Sequence, residues 1–159
     1  LCLVAGREPA WLAGALMDVD DLAFPFGLHY HVEHQVWARV EGGVARVGIT
    51  SLGIRLAGEI YMCRPKAPGS VVEQGRSIGV VELAKSIVSV KSPVGGTVLA
   101  VNPRLAAEPG WVHRDPYGEG WLAEVQVADF EVDRAALLCG EPVLAAMHHH
   151  AWLHKAQEG

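Results

Sequence analysis

From Val36 to Val127 apolar and polar residues alternate in short runs broken by glycine and proline. Alternation with period two sets one face of a strand against a core, so the pattern predicts strands. "VWARV" (36–40) and "VARVGI" (44–49) flank the turn "EGG" (41–43) and predict a hairpin. "TSLGIRLAG" (50–58) predicts a short helix, capped by Thr50 or Ser51 and ended by Gly58. "EIYMC" (59–63) predicts a strand, "RPKAPGS" (64–70) a loop, and "VVEQGRS" (71–77) a turn at Gln74-Gly75. "IGVVEL" (78–83), "SIVSVK" (86–91) and "TVLAVN" (97–102) are strands, with "SPVGG" (92–96) turning the chain before the last of them. "PRLAAEPGWVHRDPYGEG" (103–120) reads as irregular, and "WLAEVQV" (121–127) as a final strand.

The period then changes. "EVDRAALLCG" (131–140) predicts a short helix stopped by Gly140, and "EPVLAAMHHHAWLHKA" (141–156) a second, opened by Pro142, with Val143, Met147 and Ala151 at helical spacing. The expected chain is mainly β, with seven or so strands followed by helices. A faint duplication of hairpins before and after residue 85 suggests a flattened barrel. The divisions expected are an N-terminal extension (1–28), a main domain (29–130) and a C-terminal helical segment (131–159). In the extension, Arg7, Glu8 and Pro9 interrupt the apolar stretch, which argues against a signal peptide. Met17 is expected to lie nearer the natural start, leaving residues 1–16 as an appendage outside the fold.

Composition narrows the function. The 159 residues are 50% hydrophobic and 19% charged, an ordinary globular balance. The net charge of −5 argues against nucleic acid as a general partner and against a polybasic membrane tether. No apolar run approaches the roughly 20 residues of a membrane span. Cys2, Cys63 and Cys139 are odd in number and scattered, which suggests neither a disulfide framework nor a metal pair, and points to a reducing cytoplasm.

One lysine stands out. In "VVELAKSIVSVKSPVGG" (80–96), Lys85 sits between two apolar strands, and Glu82 is the only acid of the run. An unpaired ammonium is costly to bury, so the chain must reverse at "LAKS" and leave the amine in water. A tight hairpin tip is a rigid post, suited to presenting one amine to a modifying enzyme. The segment resembles the lipoyl-lysine hairpin of the glycine cleavage system H protein family: an acid three residues before the lysine (Glu82), then Ser-Pro-Val and a glycine eleven residues after it (Gly96). "HQVWARVEGGVARVGITSLG" is similar to that family's opening, and "VNPRLAAEPGWVHRDPYGEGWL" to its closing segment.

The resemblance implies a lipoyl/biotinyl-type barrel-sandwich hybrid with short helices and a C-terminal helix, residues 29–130 being the lipoyl-carrier domain. It implies lipoate bound covalently to Lys85, with Glu82 and Gly96 read by the attaching enzymes. Biotinyl relatives carry Met-Lys-Met at the tip, which "LAKSI" lacks. Implied partners are a lipoate ligase or a lipoyl/octanoyl transferase, the glycine cleavage P, T and L proteins, and dihydrolipoamide dehydrogenase. The chain is then a carrier and no enzyme, without catalytic residues of its own.

It departs from the family where an aminomethyl load would be held. There the loaded arm folds into a cleft, and its amine meets a glutamate of His-Glu-Trp and an aspartate four after the lysine. Here His34 is followed by Gln35, with Val36 inserted before Trp37, and Ser89 stands four after Lys85. Glu33 is the one acid placed to take over a role. The arm-cleft candidates are therefore Glu33, His34, Gln35 and Ser89. Without the two acids, the sequence favours a sulfur-carrying lipoate-binding protein working with a heterodisulfide-reductase-like complex. The alternatives are the glycine cleavage H protein itself, a relay handing lipoate to other proteins, and an interaction protein with an unmodified lysine.

Other residues are given structural readings. His29, His31 and Glu33 share a strand face and His150 and His154 a helix face, yet neither set is a full ligand group, and no metal is expected. Cys63 and Cys139 read as buried thiols, with a resolving thiol for the lipoyl disulfide as the lesser alternative. Trp37, Trp111 and Trp121 read as core.

Overall fold

The computed structural model describes residues 16–19 and 22–158; the expected appendage falls, for residues 1–15, outside the described residues. In chain order the elements are β1 (Leu16–Val19), β2 (Leu22–Pro25), β3 (His29–His31), β4 (Val36–Glu41), β5 (Val44–Ile49) and α1 (Ser51–Ala57). Then come β6 (Met62–Pro65), β7 (Val71–Val72), β8 (Ser77–Glu82), β9 (Ile87–Lys91) and β10 (Gly96–Val101). Single-turn helices α2 (Arg104–Ala107) and α3 (Trp111–Arg114), β11 (Ala123–Val127), the short α4 (Phe130–Asp133) and α5 (Pro142–Glu158) complete the chain.

Three antiparallel sheets result, ordered β3-β4-β5-β11-β10-β7, β6-β8-β9 and β1-β2. The first two share one core. Ala45, Val47, Val98, Ala123 and Val125 from the larger sheet cluster with Cys63, Ile78, Val81 and Val90 from the smaller. These are the inward positions of the alternating runs, so the period-two reading carried through to the packing. The β4–β5 hairpin turns on Gly42 and Gly43, both at positive φ (56° and 79°), as a tight two-residue turn requires. Thr50 caps α1 by accepting a hydrogen bond from the Gly53 N–H, and Gly58 ends the helix at φ 83°.

Three expectations shift. The expected strand 59–63 is displaced to Met62–Pro65, because Ile60 turns away to donate its N–H to His113 Nε2. The expected irregular stretch 103–120 contains α2 and α3. The expected helix 131–140 is only one turn plus a 3-10 turn (Arg134–Ala136), after which Leu138 pairs with Tyr30.

A second core cluster joins residues 24–52 to α5. Phe24, Leu28, Tyr30, Trp37 and Leu52 pack with Val143, Met147 and Ala151. The helical face predicted for α5 is thus its buried face. Phe24 and Leu28 lie within the stretch expected to be an extension, yet both are buried and belong to the core. Cys139 is disulfide-bonded, a correction to its reading as a buried thiol. Among the described residues no helix is long and apolar enough to cross a membrane.

Candidate functional site

The β8–β9 hairpin makes the site. Pairing runs from Ser77↔Lys91 to Glu82↔Ile87, and the turn closes by a hydrogen bond from the Leu83 N–H to the Ser86 carbonyl (2.8 Å). Leu83 is partly buried against the core and anchors the near side of the turn, while Lys85 is exposed at its tip. Among the described residues the Lys85 amine has neither a hydrogen bond nor an ion pair, so nothing must be broken for it to react. Lys91, the other lysine of the stretch, lies at the far end of β9, opposite Ser77.

The neighbourhood of the tip is apolar and accessible. Ile87 is 68% exposed; Tyr61, just before β6, is 55% exposed, and its N–H donates to the Glu82 carbonyl (2.8 Å). Glu82 pairs across the sheet with Met62, and its carboxylate forms an ion pair with Arg64. Sequence reasoning named Glu82 but missed Arg64 and Tyr61. The signal was the alternation of β6, which sends Met62 and Arg64 to the same outer face as Glu82.

Gly96 belongs to another part of the molecule. It opens β10 after the whole length of β9, five residues of strand or about 16 Å from the tip. A Cβ there would lie 1.9 Å from the Gln126 carbonyl oxygen, so the glycine permits β10 to approach β11. That close approach is a packing reason for a glycine at this position.

Of the four arm-cleft candidates, Glu33, His34 and Gln35 stand together in the β3–β4 turn and Ser89 stands on β9. Gln35 is buried at positive φ (54°) in the β3–β4 turn. Its Nε2 donates to the Val32 carbonyl (2.7 Å) and to Met147 Sδ (3.2 Å), and its Oε1 accepts from Thr50 Oγ1 (2.5 Å). Both ends of the amide are used to join the turn, the cap of α1 and α5. His34 stacks on His31 with ring centroids 4.4 Å apart. Glu33 is exposed next to them, where its charge acts on His31 and on His150 of α5. Ser89 lies on β9 opposite Val80, with its hydroxyl buried and without a protein hydrogen bond.

The histidines form pairs rather than a ligand set. Burial, and then the neighbouring His34, lower the His31 pKa; burial, then His154 and His149, lower that of His150. His29 packs edge-on against Phe130 and is lowered by burial and by Arg134. Among the described residues no three histidines, cysteines or acids converge as metal ligands. Cys63 is buried beneath the hairpin, opposite Val81, and burial pushes its thiol up to about 11. Covered in this way, the thiol is not placed to meet a disulfide on the exposed arm.

The "DPYGEGW" stretch proves structural. Trp37 Nε1 donates to the Pro116 carbonyl (3.1 Å), Arg39 to the Tyr117 carbonyl (3.2 Å), and the Tyr117 hydroxyl accepts from the Ser51 N–H (3.0 Å). Of the three tryptophans read as core, Trp37 is fully buried, whereas Trp111 and Trp121 are partly exposed, flanked by Arg114 and Arg46.

A family model described as "Glycine cleavage H-protein" matches residues 28–150. The glycine cleavage system H protein 2 of Aquifex aeolicus is 35% identical over 127 residues, 79% of either chain. The glycine cleavage system H protein of Corynebacterium jeikeium is 42% identical over 111 residues, covering 67% of this chain and 87% of its own. The crystal structure of a glycine cleavage system H protein from Mycobacterium marinum is similar in fold, with a TM-score of 0.63 and 29% identity over 75% of this chain and 94% of that one.

Proposed function

The chain belongs to the glycine cleavage H-protein family, and on that premise we propose that Lys85 carries the lipoate and that the protein shuttles the aminomethyl group of glycine. Glycine cleavage H proteins bear a covalently attached lipoate on a lysine. The β8–β9 tip fits such a group: Lys85 is exposed and unpaired, the turn is closed by its own hydrogen bond, and apolar side chains flank it. Bound lipoate supplies a disulfide that opens to take up a transferable group. The protein's part is to hold the attachment point on a rigid turn and to keep the arm at high effective concentration among its partners.

The observation that carries the reading is the coincidence of this exposed lysine turn with a family match running through it from residue 28 to 150. The partners that follow are a lipoate ligase or lipoyl/octanoyl transferase, the P and T proteins, and the L protein, a dihydrolipoamide dehydrogenase. We place this exchange in the cytoplasm. Glu82 is the acid that the attaching enzyme reads, with Arg64 orienting it.

The sulfur-carrying reading rested on the missing acids at Gln35 and Ser89. Gln35 is a buried joint of the fold, so its identity reports on packing and says little about the load. The named relatives are glycine cleavage H proteins. Both facts favour the aminomethyl role over the sulfur role.

The test has two stages. Intact mass after co-expression with a lipoate ligase should rise by one lipoyl group, and Lys85→Arg should abolish the rise. The lipoylated protein should then accept methylamine from glycine in the presence of glycine decarboxylase. Modification that persists in Lys85→Arg refutes the attachment site. A lipoylated protein that does not load refutes the glycine cleavage role and returns the sulfur carrier or the relay.

A further inference from the structure

An aminomethyl load is a cation, and holding it near the protein calls for a carboxylate within reach of the tip. Gln35 is committed to the β3–β4 turn, and Ser89 bears no charge. A cleft of about 350 Å³ lies between α1 and α3, with Leu22, Ile54, Arg55, Glu59, His113 and Pro116 on its wall. Glu59 is its only acid among the described residues.

The segment after α1 connects this cleft to the lysine turn. Tyr61 donates its N–H to the Glu82 carbonyl, three residues before Lys85, and Met62 pairs with Glu82. Ile60 is buried, while its neighbours Glu59 and Tyr61 are exposed, so both of these side chains face solvent along the path from tip to cleft. His113 Nε2 accepts the Ile60 N–H (3.0 Å), a role open only to an unprotonated ring nitrogen, and Glu59 Oε2 lies 3.9 Å from that atom. The Ile60 N–H thus occupies the lone pair of Nε2, and that atom does not donate to Glu59. Arg55, across the cleft, already has an interaction of its own.

The geometry points to Glu59 as the counter-ion of the arm's ammonium load, with Tyr61 as the surface along which the arm's hydrocarbon lies. The inference rests on the glycine cleavage reading. It assigns the holding of the amine to the segment after α1, in place of the two positions where the acids are missing. Docked there, the load is partly withdrawn from water and lasts longer.

The experiment uses full-length, isotopically labelled, lipoylated protein. The reduced arm is loaded chemically: one thiol, one formaldehyde and one ammonia condense with loss of water, without any partner enzyme. Loading should shift the backbone amide signals of Glu59, Tyr61 and His113. The half-life of the adduct should shorten roughly tenfold in Glu59→Gln, the scale of one lost charge-assisted hydrogen bond. Glu59→Asp should retain part of the effect, and Tyr61→Ala should reduce the signal shifts. Glu59 is exposed, and the amide spectrum of each variant verifies its fold. Equal half-lives and unmoved signals overturn the assignment to Glu59. Failure to load from glycine with decarboxylase, in protein that holds the chemical adduct normally, refutes the pathway and leaves Glu59 standing.

Discussion

Replacing Gln35 with glutamate separates a cleft residue from a structural one. If Gln35 faced the arm, the substitution would restore an acid that the family uses and improve loading. In the structure the amide is buried, and Nε2 gives hydrogen bonds to the Val32 carbonyl (2.7 Å) and Met147 Sδ (3.2 Å). A carboxylate oxygen in that place faces another oxygen and a thioether with nothing to donate. Two hydrogen bonds are lost, at about 0.5–1.5 kcal/mol each, and a partly unpaired charge is buried besides, so Gln35→Glu should cost about 2–4 kcal/mol at neutral pH. That is a large part of the roughly 5–15 kcal/mol that stabilises a typical domain. The introduced carboxyl can donate to the Val32 carbonyl only when protonated, so its folded pKa is raised above the ordinary value of about 4.3. A raised acid pKa means stability is retained at low pH and lost as pH rises through the folded value. Urea unfolding of the wild type and Gln35→Glu at pH 5 and pH 7 should show the deficit growing with pH, with Ser89→Asp on the hairpin as a comparison. An unchanged midpoint at pH 7 together with better methylamine loading would refute the structural reading.

Two further outcomes follow from the same packing. Gly96→Ala should cost more than about 3 kcal/mol, or prevent folding, because the new methyl would meet the Gln126 carbonyl at 1.9 Å; thermal melting reads this, and a normal melt with lost lipoylation would instead make Gly96 a recognition residue. His29, His31 and His150 have folded pKa values below their ordinary 6.5, so the unfolded chain binds more protons, and stability should fall as pH drops below about 6.5 and level off beneath the folded values. Unfolding midpoints measured from pH 7.5 to 5 check this, and a midpoint that rises on acidification contradicts it.

Local chemistry made much of the fold legible. The Gly42-Gly43 turn, the Thr50 cap, the Gly58 stop and the apolar face of α5 each follow from a few neighbouring residues, and each lies where its pattern put it. Lys85 was legible because an ammonium between two apolar runs is placed at their reversal, although Ile87 and Val88 of β9 prove to be exposed themselves. Long-range contacts were not legible. Nothing near Gln35 in sequence announces that its partners are Thr50 and Met147, the second of them 112 positions away. Equally, the eleven-residue spacing from Lys85 to Gly96 does not announce that Gly96 packs against the Gln126 carbonyl.

The missing acids therefore have unequal meaning. A substitution at a solvent-facing position reports on what the surface must bind, whereas one at a buried joint reports first on its packing partners. Gln35 is satisfied at both ends of its amide, and its turn closes against α5, whose Met147 is fully buried in the second core cluster. Restoring an acid there would have to be accompanied by a change in α5. Ser89 is different: it stands on the hairpin that carries Lys85, and its hydroxyl, though covered, is committed to no protein partner. On the proposed reading the counter-charge falls to Glu59, an exposed residue at which no core contact has to move. A carrier can relocate its counter-ion in this way because the arm is long and flexible, while the turn that anchors it is short and fixed.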